Sequence, residues 1–230
     1  MTNNPKRYGR FTASEIFKLV PGERGGTATR DKYILEKAIE IVQGCELPGF
    51  TSRHTEHGNF YEREAIDAFM AASGLTVEYQ SDQFLQYGDN AGATPDGLVQ
   101  DPFTGEIFAT VDVKCPTGKF WHQKLDIIQN AKPQYQNSPK EYFYQAQMQM
   151  LVASAYYGVP IKKHYLVRYL AEPDMGDYAE PIQFDMDDSL RIYWKVIEAD
   201  EIAQEQLIEL IEQSAIERDE LVNILKQTIQ

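Results

Sequence analysis

Two β-type runs joined by a short turn constrain the fold of this chain more than any other feature of its sequence. Residues 93–99 and 106–114 have the composition of short strands. The segment between them, Asp101-Pro102-Phe103-Thr104-Gly105, combines the residues that tight turns favour. The sequence therefore predicts an antiparallel hairpin that belongs to a β-sheet.

Acidic residues lie in both predicted strands of this hairpin. Pro95-Asp96-Gly97 forms a bend in the first strand, and Asp112-Val113-Lys114 ends the second. Side chains two positions apart share one face of a strand, so Asp112 and Lys114 project together. Two carboxylates can bind a hard divalent cation. Such a cation and an amine lower the pKa of an attacking water and stabilise charge on a phosphoryl group. The alternative is a surface hairpin with an Asp–Lys pair across one face.

Two further polar residues, Glu62 and Gln147, lie on apolar stripes of predicted helices. The neighbours on these stripes are Ala65, Ile66 and Phe69 for Glu62, and Phe143, Met150 and Leu151 for Gln147. A carboxylate in such a place is costly unless it is paired or binds a metal, or unless it extends to solvent. An inward glutamine either satisfies a buried backbone group or orients a water molecule.

The remaining elements follow from periodicity and from helix and turn signals. Thr12 and Glu15 indicate a capping box that opens a short helix over residues 14–20. The other predicted helices cover residues 30–43, 59–73, 119–128, 138–157 and 187–227, the last as one helix or a pair. The other predicted strands cover residues 75–79, 83–87 and 162–170, and a polar linker covers residues 129–137. Hairpins thus alternate with helical crossovers. This predicts an α/β (α+β) fold with a mixed central sheet flanked by helices, in a single domain over residues 1–230.

The distribution of charge qualifies the formal net charge of −13, which by itself disfavours a nucleic-acid partner. Residues 171–230 carry 16 acidic and 4 basic residues, whereas residues 121–170 carry 2 acidic and 6 basic residues. A locally basic groove is therefore compatible with DNA binding, with an acidic helical region at about residues 187–230 facing elsewhere. Two cysteines, no secretory signal and no apolar run of about 18 residues favour a cytoplasmic protein without a membrane partner.

Five motifs in order connect these residues with a known family. They are Arg7-x-Gly9-x-x-Thr12-Ala13-Ser14-Glu15, Gly58-x-x-Tyr61-Glu62, Pro95-Asp96-Gly97-Leu98, Asp112-x-Lys114-Cys115-Pro116 and Tyr144-x-Ala146-Gln147-x-Gln149. Between residues 7 and 158 the chain strongly resembles the phage-lambda-type alkaline exonucleases, which are viral recombination nucleases of the PD-(D/E)xK superfamily. The resemblance implies a restriction-endonuclease-like fold. The sequence departs from the family's usual pattern at Asp112, where glutamate is more common.

The resemblance also implies an activity and a role for each matching residue. The activity is Mg²⁺-dependent digestion of one strand of duplex DNA from its 5′ end, which leaves a 3′ overhang for strand-annealing recombination. Asp96, Asp112 and the main-chain carbonyl of Val113 would bind metal, in a site expected to hold two ions and to accept Mn²⁺. Lys114 would activate or position the attacking water, with Glu62 and Gln147 assisting. Arg7 and Ser14 would hold the terminal 5′-phosphate.

The same resemblance implies double-stranded DNA ends as the substrate and a ring-shaped homotrimer. The acidic C-terminal helical region indicates a partner surface, for which we expect a single-strand annealing protein. Two other functions stay open at this point. One is a structure-selective endonuclease or nickase on the same core, and the other is a non-catalytic DNA-binding scaffold.

Overall fold

The predicted hairpin lies near the centre of the computed structural model, which describes residues 4–22, 27–48, 53–80, 83–115, 140–171 and 187–229. Its strands are β5 (Gly97–Gln100) and β6 (Ile107–Lys114), paired antiparallel with a register shift between Val99 and Gln100. In the turn, the Asp101 carboxylate accepts the N–H groups of Phe103 and Thr104 at 2.8 Å each. The hairpin prediction is therefore confirmed.

Eight strands and four α-helices make up the described part of the chain. The strands before the hairpin are β1 (Phe11–Thr12), β2 (Thr76–Tyr79), β3 (Leu85–Tyr87) and β4 (Ala91–Ala93), and those after it are β7 (Lys163–Tyr169) and β8 (Ile192–Glu198). The helices are α1 (Ala28–Gln43), α2 (Arg53–Ser73), α3 (Lys140–Tyr157) and α4 (Glu201–Ile229), with short 3₁₀ helices at Ile16–Lys18 and Asp188–Leu190. None of the helices in the described ranges has the length and apolar character needed to cross a bilayer.

The strands form two sheets that meet just before Asp96. The larger sheet has the order β2-β5-β6-β7-β8, in which β6 and β7 are parallel and the other pairs antiparallel. The smaller sheet has the order β1-β4-β3, with β1 parallel to β4. Residues 94–96 link β4 of the small sheet to β5 of the large one. The mixed sheet predicted from the alternation of hairpins and crossovers is thus present.

The two faces of β6 contact different helices. Ala109, Val111 and Val113 share a buried cluster with Ala65, Ile66 and Phe69 of α2. On the opposite face, Asp112 and Lys114 project toward α3, whose Phe143 and Ala146 pack against Leu166 of β7. Asp112 and Lys114 therefore lie on the α3 face of the sheet, whereas Glu62 belongs to α2 on the other face.

Several boundaries differ from the prediction. The run 93–99 is broken by Pro95, which has no N–H for a ladder, so Asp96 lies between two strands. The capping box does not form, because Thr12 belongs to β1 and the Glu15 carboxylate binds Lys18. Residues 192–198 form a strand rather than the start of the acidic helix. The predicted helix 119–128 and linker 129–137 lie outside the described residues.

Candidate active site

Backbone hydrogen bonds on two sides fix the position of Asp96. Its N–H donates to the carbonyl of Val111, and its carbonyl accepts the N–H of Gln80, both at 3.0 Å. The side chain turns toward β6, where its Oδ2 accepts the N–H of Val113 at 2.6 Å. The bend after β4 therefore directs a carboxylate at the end of the neighbouring strand.

Asp112 completes a carboxylate pair with Asp96 and contacts Lys114. Asp112 is only 2% exposed, and its Oδ2 lies 2.5 Å from Lys114 Nζ. Its Oδ1 accepts hydrogen bonds from the side-chain amides of Gln145 at 2.7 Å and Gln149 at 3.2 Å. Oδ1 is therefore satisfied by two amide donors, whereas the buried Oδ2 has the ion pair with Lys114 but no aligned hydrogen bond within the described residues.

The cluster shifts the pKa values of Asp96 and Lys114. Burial and the negative charge of Asp112 raise the pKa of Asp96 well above its usual range; Glu62 adds to the effect, and Lys114 and the Val113 N–H oppose it. Burial alone would lower the pKa of Lys114, but the carboxylates of Asp112 and Asp96 outweigh it and raise that pKa. Proton binding and cation binding at Asp96 must therefore compete.

Glu62, on the half-buried part of α2, belongs to the same electrostatic group. Its charge raises the pKa of Asp96 and contributes to the raised pKa of Cys115. For Cys115 the main cause is burial, which raises the pKa of the thiol to about 12. A thiol with that pKa is protonated at neutral pH and is no nucleophile. The structure thus brings Glu62 toward the carboxylates predicted from sequence.

Gln147 occupies a different place from the one predicted. Its amide nitrogen donates to the carbonyl of Glu198 at 3.0 Å, and its Oε1 accepts the N–H of Asp200 at 2.8 Å. It therefore bridges the end of β8 and the start of α4. The prediction that Gln147 assists the attacking water is corrected, because the glutamines in contact with Asp112 are Gln145 and Gln149.

Sequence reasoning also missed two residues beside Lys114. The centre of the Tyr142 ring lies 5.3 Å from the Lys114 ammonium and 5.4 Å from the Arg168 guanidinium. Arg168 pairs with Lys114 in the register of β6 and β7. Gln145 and Gln149 are one helical turn apart and share a face of α3, but the sequence gives no reason to prefer that face over the one that carries Gln147. The contact with Arg168 depends on strand order, which local spacing does not specify.

Arg7 and Ser14 lie on the segment that contains β1. The Arg7 guanidinium lies 3.5 Å from the Glu46 carboxylate and 5.6 Å from the centre of the Phe84 ring. The Ser14 hydroxyl is exposed and lies 3.4 Å from that of Thr12. Within the described residues, no hydrogen bond or ion pair joins either residue to Asp96, Asp112 or Lys114.

The donor set is chemically suited to a hard divalent cation. Among the described residues there is no group of three or more His, Cys, Asp or Glu side chains close enough to hold a metal ion. The available oxygens are the carboxylates of Asp96 and Asp112 and the carbonyl of Val113, whose N–H already points to Asp96. A small number of protein oxygens matches the way Mg²⁺ binds in nucleotide-processing sites, where waters and phosphates supply the other ligands. Thiolate or imidazole metals would require other ligands.

Comparisons with known proteins identify the family and the fold. A family model described as the YqaJ-like viral recombinase domain matches residues 4–156, more than half of the chain. Among curated proteins none matches the sequence.

Solved structures share the fold over nearly the full length. The alkaline exonuclease LHK-Exo from Laribacter hongkongensis superposes with a TM-score of 0.71 at 20% identity, covering 97% of this chain and 94% of the other. The same protein in complex with dAMP gives a TM-score of 0.71 at 21% identity, with 98% and 95% covered. A phage-related exonuclease from Haemophilus somnus 129PT gives 0.67 at 15% identity, with 96% of each chain covered. The predicted restriction-endonuclease-like fold class and the resemblance found in the motifs are thus confirmed.

Proposed function

The chain belongs to the YqaJ-like viral recombinase family, and from this premise we propose that it is a metal-dependent 5′→3′ exonuclease of double-stranded DNA. It would hydrolyse phosphodiester bonds from a 5′-phosphorylated end and leave a 3′ overhang for strand-annealing recombination. The observation that supports this best is the convergence of Asp96, Asp112 and Lys114 at the end of the central hairpin. The names of the structural relatives support the same class of activity.

Mg²⁺ is the proposed cofactor, with Mn²⁺ as a substitute. Asp96, Asp112 and the carbonyl of Val113 would hold it, and Glu62 is the further carboxylate available to a second ion. When bound, the metal supplies a Lewis acid that polarises the phosphodiester and lowers the pKa of a water molecule.

The side chains around the carboxylates have separate tasks in this proposal. Lys114 keeps its proton at neutral pH because its pKa is raised, so it acts as a donor to a phosphoryl oxygen or to the attacking water. Gln145 orients Asp112 through its amide. Tyr142 packs beside the Lys114 ammonium and limits where it can move.

Arg7 and Ser14 are proposed to hold the terminal 5′-phosphate. Support comes from topology: β1 pairs with β4, and β4 ends three residues before Asp96. A guanidinium with a partly exposed surface can bind a phosphate through two parallel hydrogen bonds. Because β1 pairs with β4, the segment that follows Arg7 lies beside the strand that leads to Asp96.

The proposal extends to partners and location. The substrates are double-stranded DNA ends, and the partner is a single-strand annealing protein, with a homotrimer ring as the assembly. The compartment is the cytoplasm of a bacterial or phage-infected host cell.

The decisive experiment compares three DNA substrates in Mg²⁺: linear duplexes with a 5′-phosphate or a 5′-hydroxyl, and a covalently closed circle. We expect rapid loss of the 5′-phosphorylated strand, abolished by EDTA and by Lys114→Ala. Lys163→Ala is the matched control, since this exposed lysine lies at the start of β7, at the opposite end of the sheet.

Three other results would contradict parts of this proposal. Cutting of the circle would identify an endonuclease or nickase, because a circle offers no end. If no substrate is cleaved with Mg²⁺ or Mn²⁺, the chain is a DNA-binding scaffold and the exonuclease proposal fails. Activity that survives Lys114→Ala would remove this cluster from the chemistry.

A further inference from the structure

We propose that Gln149 is a positioning residue that orients the Asp112 carboxylate for a divalent cation, without touching substrate itself. The inference rests on the proposed function, because it concerns the metal site of that activity. It assigns a role to a buried glutamine that the catalytic scheme above does not use. Gln149 lies on α3, one turn beyond Gln145, and is fully buried.

The first argument comes from how the two oxygens of Asp112 are used. Oδ1 accepts both amide donors, from Gln145 and Gln149, whereas Oδ2 lies on the side of the Lys114 ammonium. Two donors on one oxygen fix both torsion angles of a short side chain. Oδ2 is therefore held in one direction, where a cation can replace or join the ammonium.

The second argument comes from the other end of the Gln149 amide. Its Oε1 is buried and has no hydrogen-bond partner within the described residues. An apolar side chain of the same length would avoid this unmet acceptor and would fill the same space. Gln149 therefore contributes little to folding, and what it does contribute is its N–H bond to Asp112.

The third argument is a built-in comparison on the same helix. Gln147 is equally buried, but both ends of its amide are satisfied by the backbone of Glu198 and Asp200. Its bonds connect β8 with α4 and do not reach the carboxylates. The two glutamines therefore separate a positioning role from a structural one.

The test replaces each glutamine with methionine, which keeps length and removes the amide. Binding of Mn²⁺ and Mg²⁺ to the metal-free full-length chain is measured by isothermal titration calorimetry, and Tm by circular dichroism. For Gln149→Met we expect the metal dissociation constant to rise about tenfold or more, with Tm within about 2 °C of wild type. For Gln147→Met we expect unchanged metal affinity and a Tm lower by roughly 3–10 °C.

A nuclease assay gives an independent readout. The Mg²⁺ concentration for half-maximal activity should rise in Gln149→Met, while activity at saturating Mg²⁺ returns toward wild type. Gln149→Asn has an amide that is one methylene too short to reach Asp112, and it should reproduce the loss of metal affinity. This variant tests the positioning role if Gln149→Met does not fold.

The outcomes distinguish the inference from the proposed function. If wild type and Gln149→Met bind metal equally well, the positioning role is wrong while the metal site stands. If Gln149→Met weakens metal binding but also lowers Tm as much as Gln147→Met does, the residue is structural and the inference is overturned. If wild type binds neither ion, the proposed function and this inference fail together.

Discussion

A proton and a cation compete for the carboxylate of Asp96. Burial and the charge of Asp112 raise the pKa of Asp96, so this carboxyl holds a proton at pH values where an exposed aspartate would not. Metal binding requires that this proton leave. We therefore expect the acid limb of the pH–rate profile to move to lower pH when Mg²⁺ is raised, by up to about one unit per tenfold change.

Rates measured at a series of Mg²⁺ concentrations and pH values test this competition. A matched check uses Asp112→Asn, which removes the neighbouring charge. The carboxyl titration of Asp96, followed by ¹³C NMR, should then move to lower pH. An acid limb that stays at one pH at all Mg²⁺ concentrations would show that another group controls it.

His164 makes a separate prediction about stability. It is almost fully buried, its Nδ1 lies 2.9 Å from the Thr110 hydroxyl, and burial lowers its pKa from 6.5 to about 4. The unfolded chain therefore binds a proton that the folded chain does not between pH 6.5 and 4. Stability from this residue is fully present above pH 6.5 and is lost as the pH falls toward 4.

Chemical denaturation of wild type and His164→Gln at several pH values isolates this contribution. The difference in unfolding free energy should change by about 3 kcal/mol between pH 7.5 and 4. A difference between two proteins is needed because Asp96, with its raised pKa, acts in the opposite direction: its contribution falls as the pH rises. Parallel profiles for the two proteins would contradict the prediction.

At the scale of elements, the start of β5 depends on close packing at Gly97. A Cβ added there would lie 2.5 Å from Val77 Cγ1 on β2, and a valine side chain cannot turn away freely. We expect Gly97→Ala to reduce the unfolding free energy by about 1–3 kcal/mol. Because Gly97 follows Asp96, we also expect nuclease activity per folded molecule to fall.

A double-mutant cycle with Val77→Ala tests this explanation, since the smaller side chain removes the clash. Stability and activity of the double variant should exceed those of Gly97→Ala alone. Gly58→Ala is the control: Gly58 lies in α2 with open space around its Cα, so alanine there should stabilise by about 0.5–1 kcal/mol. Additive effects of the two substitutions would rule out a direct contact.

Local sequence patterns predict the hairpin, the helices and the residues at the ends of strands, but they do not determine which side chains meet. Asp96, Asp112 and Lys114 could be found because turn chemistry and strand alternation are local. Gln145, Gln147 and Gln149 could not be separated, since α3 is buried on nearly every side and apolar periodicity gives no preferred face. Residues 192–198 pair with β7, and this long-range contact overrides the helical pattern of an acidic segment.

At the scale of the whole molecule, α4 packs one face into the core and carries most of its acidic side chains on the opposite, exposed face. Its Leu207, Ile211 and Ala215 are buried in the cluster that includes Phe11 and Tyr33. Arg218 donates to the carbonyl of Gly9 at 2.7 Å and to the Asn90 side chain at 2.9 Å. Most acidic side chains of α4 are exposed on its outer face: Glu201, Glu205, Glu209, Glu212, Asp219 and Glu220. The last helix thus stabilises the segment that contains Arg7 and presents its negative charges to solvent.

This arrangement predicts a maximum in the salt dependence of DNA cleavage. The net charge of −13 repels DNA over long distances, and this repulsion is screened first as salt is added. Contacts between basic side chains and phosphates act at short range and weaken only at higher salt. At fixed low Mg²⁺, kcat/KM should therefore rise and then fall with KCl concentration.

Neutralising three outer acids of α4, Glu205→Gln, Glu209→Gln and Glu212→Gln together, should act on the rising limb alone. We expect kcat/KM at the lowest salt to increase about threefold, because long-range repulsion is reduced. The falling limb should stay unchanged, since these exposed residues lie outside the carboxylate cluster. Initial rates on a 5′-phosphorylated duplex from about 10 to 300 mM KCl measure both limbs. A wild-type rate that only falls with salt would mean that local positive charge outweighs the repulsion of the whole molecule at every distance.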